Sequence, residues 1–151
     1  WTLNGKTFEM EAVTPEETVK LGTLEVWEFI NEMNMGGMSM SGGKMAGMDH
    51  SKMGNMANQG GMMDFMAHPM HIHGVQFRVI GRDVAAAGVA GWQTVKDGLI
   101  DEGWKDTVLV MPNERVKLLM HFADYPGMYL YHCHNLEHEN MGMMRNYLIK
   151  A

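Results

Sequence analysis

Alternation of apolar and polar side chains, the mark of a half-buried strand, recurs along this chain. In TLEVWEFIN, Leu24, Val26, Glu28 and Ile30 alternate imperfectly with Glu25, Trp27 and Phe29, which predicts a strand with two partly covered faces. GVQFRVIG sets Val75, Phe77 and Val79 on one side and Gln76 and Arg78 on the other. DTVLVM and ERVKLLMHF flank the turn signal PNE, so they read as two strands joined in a hairpin. DYPGMYLYHCH opens on a Pro-Gly turn and runs into a strand, and MMRNYLIKA supplies a last one. Roughly six to eight short strands with polar turns and no convincing amphipathic helix predict an all-β, antiparallel sandwich.

One segment breaks the pattern. Between about residues 33 and 63 there is no period of either kind, only methionine spaced by glycine, serine and asparagine. Methionine usually fills gaps in a core, but this composition cannot supply one. The expectation is a single domain over residues 1–151 with a long Met-rich flexible insertion at 33–63.

Composition narrows the chemistry. A formal charge of −6 argues against nucleic acid, which needs a basic face. No apolar run is long enough to span a bilayer. The opening WTLNGKTFEM lacks a signal-peptide pattern, which leaves a cytoplasmic, an already processed or a longer parent chain. The chain has 19 methionines, 8 histidines and one cysteine, Cys133, which has no partner for an internal disulfide.

That cysteine lies in YHCHN. Side chains alternate along a strand, so His132 and His134 leave one face and Cys133 the other. His71 and His73 in HIH likewise share a face. If the two strands are neighbours, four imidazoles converge on one side. On the other side Cys133 can meet His68, His138 and a methionine. Two imidazoles, one thiolate and a distant thioether are the ligands of a blue-copper site, whereas zinc favours four strong tetrahedral donors. The spacing H-C-H-x3-H-x4-M selects His138 and Met143, with Met141 and Met144 as chemically equal alternatives for the axial place. His121 has no partner motif, and His50 lies within the methionine segment.

At HPMHIHG and HCHNLEHENMGMM the chain resembles the multicopper oxidases, specifically their last cupredoxin domain, over nearly its whole length outside the methionine segment. The resemblance implies a Greek-key cupredoxin β-sandwich and copper as cofactor. It implies type 1 copper on His68, Cys133, His138 and Met143, type 2 copper on His71, and a type 3 pair on His73, His132 and His134. Electrons from Cu(I) or a phenolic donor would pass through Cys133, His132 and His134 to a trinuclear centre that reduces oxygen to water, with Glu139 helping to deliver protons. The bacterial copper-efflux cuprous oxidases are the most similar branch, which implies a periplasmic or otherwise extracytoplasmic setting. In that branch, residues at the positions of Asp64 and Met66 hold substrate copper. The family's trinuclear centre uses eight histidines and this chain carries four of them, so the partner is another cupredoxin domain of the same oxidase or further copies of this chain. The alternative is a stand-alone blue-copper protein that carries electrons or buffers copper.

Overall fold

The computed structural model describes residues 1–32, 66–84 and 89–151. The methionine-rich stretch at 33–63, His50 and Asp64 lie outside them. Among the described residues eight strands form two sheets: β1 (Thr18–Lys20), β2 (Leu24–Ile30), β3 (His68–Ile72), β4 (Phe77–Asp83), β5 (Thr107–Val110), β6 (Arg115–His121), β7 (Gly127–Cys133) and β8 (Met144–Lys150). One sheet has the order β1-β8-β7-β3-β5 and the other β2-β6-β4. Every connection from β1 through β7 changes sheet. All pairings are antiparallel except β1 with β8, which run parallel.

The core fills the space between the layers. Val116, Leu118 and Met120 of β6, with Phe77 and Phe122, meet Met70, Ile72, Val108, Val110 and Tyr147 from the five-stranded sheet. Each fully buried side chain of this kind is worth about 1.5–3 kcal/mol. The strand expected at β2 is present, but only one of its two faces is partly covered: the inward residues are Trp27 and Phe29, while Leu24, Val26 and Ile30 stay exposed. Trp27 packs edge-on against Tyr147 and Tyr131, with ring centroids 5.5 and 6.0 Å away.

The expected hairpin across PNE does not form. β5 pairs with β3, whereas β6 pairs with β2 and β4 in the other sheet. Asn113 takes the left-handed conformation (φ 58°), and its N–H donates to the Asn31 carbonyl at the end of β2. The buried Glu114 carboxylate accepts the Met111 N–H at 2.7 Å and pairs with Arg82, which also binds Asp101. These bonds carry the chain across the sandwich instead of back along one sheet. Two short helices also appear, α1 (Val89–Val95) and α2 (Leu136–Asn140), each too short to show a period in the sequence.

Candidate metal centre

β3 and β7 are adjacent and antiparallel, with Met70 opposite Cys133, His71 opposite His132, and Ile72 opposite Tyr131. Because alternate side chains leave opposite faces, this register sorts the histidines into two groups. On the inner face the Cys133 sulfur lies 3.6 Å from His68 Nδ1 and 3.4 Å from His138 Nδ1, and the two Nδ1 atoms are 3.2 Å apart. All three side chains are buried. His68 comes from the start of β3, and His138 from α2.

The loop after β7 is tied down by its backbone. His134 N–H donates to the Pro69 carbonyl at 2.7 Å, and Cys133 N–H to the Met143 carbonyl at 3.0 Å. Met143 N–H donates to the His138 carbonyl at 2.9 Å. Gly142 (φ 85°) follows α2 and turns the chain back into β8, a left-handed step that suits glycine. Of the three candidate methionines, Met143 is buried and lines the same cavity as His68. Met141 is 50% exposed, and Met144 sits opposite His132 in the β7–β8 pairing. Trp1 stacks on the His138 ring, with centroids 4.0 Å apart.

On the outer face the rings of His73, His132 and His134 lie 4.8, 5.4 and 5.6 Å from that of His71. His73 Nε2 and His132 Nε2 are 3.0 Å apart. His132 Nδ1 is 3.0 Å from the Cys133 carbonyl oxygen and 3.6 Å from Glu139 Oε2. Tyr147 donates its hydroxyl hydrogen to the His73 carbonyl at 2.6 Å. Gly74 must be glycine: its φ is 72°, and a Cβ there would lie 2.4 Å from the Tyr129 ring. Asp106 and Thr107, absent from the sequence-based site, touch His71. Thr107 pairs with His71 across β3 and β5, a neighbourhood that strand parity alone does not reveal. Met66 is described but 40% exposed, and His121 is exposed on β6.

Burial sets the protonation. Desolvation, reinforced by neighbouring His138, lowers the His68 pKa to about 4. Desolvation likewise lowers His138 and His73 and raises the Cys133 thiol. At neutral pH the inner face therefore offers two neutral imidazoles and a thiol too buried to react as a free nucleophile. Three donors around a metal in a trigonal plane, at bond lengths of about 2.0–2.3 Å, lie roughly 3.5 Å apart. The observed spacings of 3.2 to 3.6 Å fit such a site without rearrangement. With the buried Met143 lining the same cavity as His68, the available donors include a thioether, which zinc sites lack and which suits copper.

The two-layer sandwich is of the cupredoxin class. A family profile described as multicopper oxidase matches residues 1–151, and the chain belongs to that family. It is 36% identical over 151 residues to a laccase of Haloferax volcanii, covering 99% of this chain and 19% of the relative. With bilirubin oxidase of Albifimbria verrucaria it shares 33% identity over 144 residues, 95% of this chain and 19% of that protein. Among solved structures it is similar to the McoA multicopper oxidase of Aquifex aeolicus (TM-score 0.61, 28% identity, 99% of this chain and 26% of that one). The chain thus spans about a fifth of the length of these two sequence relatives. Membership makes copper the cofactor of the family to which the chain belongs.

Proposed function

We propose that this chain is the last cupredoxin domain of a multicopper oxidase, a single domain over 1–151 interrupted by a methionine-rich insertion at 33–63. The observation that carries the proposal is the β3–β7 register. It sets the His68–Cys133–His138 cluster one residue away, through the strand, from the His71–His73–His132 cluster.

His68, Cys133 and His138 would hold type 1 copper, with Met143 as the axial thioether. His71 would hold type 2 copper, and His73, His132 and His134 the type 3 pair. Bound copper would supply one-electron exchange with the donor on the inner face and reduction of oxygen to water on the outer. The chain's own residues do the rest. Cys133 and its neighbours His132 and His134 join the two faces by covalent bonds, and His132 Nδ1–H donates to the Cys133 carbonyl as a second link. Glu139 is a third exposed and can hold a proton at Oε2 between solvent and His132.

A cavity of about 830 Å³ reaches His68 and Met143. Its aromatic walls, Trp27 and Phe29, suit a phenolic donor, and the Met143 thioether that also lines it is a soft donor of the kind that favours Cu(I). Thioethers favour Cu(I) wherever they are tethered, so the methionine-rich insertion, with Asp64 and Met66, would present substrate copper and serve copper tolerance outside the cytoplasm. No helix among the described residues is long and apolar enough to cross a membrane.

One observation favours a second reading for the chain on its own. Its outer face carries four imidazoles, half of the trinuclear set, so alone it would transfer electrons or buffer copper. A second cupredoxin domain of the same oxidase, or further copies of this chain, would complete the oxidase. The relatives are about five times as long, which supports the first of these partners.

Copper loading tests the proposal. The loaded chain should be intensely blue with a type 1 magnetic resonance signal, and Cys133→Ser should abolish the colour completely. A colourless Cu(II) form of the unaltered chain would refute the type 1 assignment.

A further inference from the structure

Asp106 and Thr107 sit against the outer face and add no donor to the proposed copper sets. His71 faces Thr107 across the β3–β5 ladder. Its Nδ1 is 2.9 Å from the Asp106 carbonyl oxygen and 3.1 Å from Thr107 Oγ1. The same carbonyl accepts the Ile72 N–H at 3.0 Å, which its two lone pairs allow. A carbonyl can only accept, so these two contacts are made only with the ring proton on Nδ1 and the lone pair on Nε2, and losing either acceptor weakens the preference for that tautomer. The Thr107 hydroxyl donates to Asp106 Oδ1 at 3.0 Å, which leaves its oxygen lone pairs for the His71 N–H. Asp106 Oδ1 itself is 3.9 Å from Nδ1 on a side chain that is 62% exposed, so its direct pull on His71 is weak.

We propose that Asp106 and Thr107 are positioning residues that hold His71 as its Nδ1–H tautomer, leaving Nε2 as the ring's one free donor to a copper ion on the outer face. The copper part rests on the function proposed above; the tautomer does not. Outer-sphere partners of metal-binding histidines typically contribute 10–100-fold in affinity by fixing tautomer and ring orientation.

The experiment compares the unaltered chain with Thr107→Val, which keeps the shape and loses the hydroxyl, and Thr107→Ser, which restores it. Nitrogen-15 imidazole spectra of the metal-free chains read the tautomer. Competition with a Cu(II) chelator reads the affinity of the outer face. In the unaltered chain His71 should be mainly Nδ1–H. Thr107→Val should move it toward a mixture and weaken outer-face Cu(II) binding by about 10-fold, with Thr107→Ser returning both. The blue absorption of the inner face should not change in any of them. A dominant Nε2–H form in the unaltered chain would overturn the proposal, as would Thr107→Val with its tautomer ratio or affinity unchanged. If the unaltered outer face takes up no Cu(II), the copper assignment of that face fails, and the tautomer comparison alone decides the clamp.

Discussion

The two faces of β3 and β7 are made from alternate residues of the same strands, yet they meet opposite surroundings. Inside, Cys133, His68, His138 and Met143 are all buried, closed over by core residues and by the returning loop. Outside, His73 and His134 are exposed, and only His132 is buried. In the assignment proposed above, the inner cluster draws its full donor set from one chain, while the outer cluster presents half a set to open space. A closed site couples metal binding to the stability of the fold; an open one couples it to whatever surface arrives. Substitutions should therefore separate by face.

The largest effect on stability should come from the buried pair behind the inner face. Arg145 donates to both oxygens of Glu17 at 2.8 and 2.6 Å, and the Tyr131 hydroxyl donates to Glu17 at 2.8 Å. Burial alone would raise the Glu17 pKa, but hydrogen bonds from Arg145, Thr14 and Tyr131 outweigh it and hold the group at about 2 instead of 4.5. A carboxyl depressed in the folded state stabilises the fold fully above about 4.5, and that contribution is lost as the pH falls from 4.5 through 2. The contribution is roughly 3 kcal/mol at neutral pH. Glu17→Gln leaves Arg145 without its counter-charge, so urea unfolding at pH 7 should show a loss of about 3–5 kcal/mol. The variant should also lose less stability than the parent between pH 4.5 and 2.

Gly74→Ala should follow, at about 1–3 kcal/mol, because it combines a left-handed backbone with a collision at Tyr129. It sharpens the comparison by displacing His73: outer-face Cu(II) should be lost while the blue centre survives. Met143→Leu keeps volume and apolarity, so unfolding should shift by less than about 1.5 kcal/mol. Copper should stay bound with its blue colour, and voltammetry should find a raised potential, since a donor to Cu(II) is gone. An unmoved potential would hand the axial role to another residue. His134→Ala, on an exposed side chain, should change stability by no more than about 0.5 kcal/mol. Calorimetric titration should nonetheless detect weaker Cu(II) uptake outside, with the inner spectrum intact.

Much of this was legible in the sequence because strand parity is a local property. YHCH assigns its own faces wherever the strand lies, and HIH does the same. The neighbourhood of β3 and β7 was not local and had to be assumed. The PNE turn misled for the same reason: Asn31 and Arg82, which draw the chain across the sandwich, are distant in sequence. α2 escaped notice because five residues carry too few positions for a helical period, although Gly142 marks its end. Glu17 and Arg145 gave no sign of their pairing, since each alone reads as a surface charge. Thr107 was readable only after β5 was known to lie beside β3.

The register of β3 on β7 has a consequence for how the gene can vary. Loss or gain of one codon within either strand would turn every downstream side chain of that strand to the opposite face. In β7 the thiol would then point to solvent and an imidazole would enter the core in its place; in β3 the imidazoles themselves would change faces. Both proposed copper sites would fail from a single event, with no proposed ligand deleted. Length variation in descendants of this gene should therefore gather in the segment between β2 and β3, while the nine residues from His68 to Gln76 and the stretch from Gly127 to Met143 keep their length.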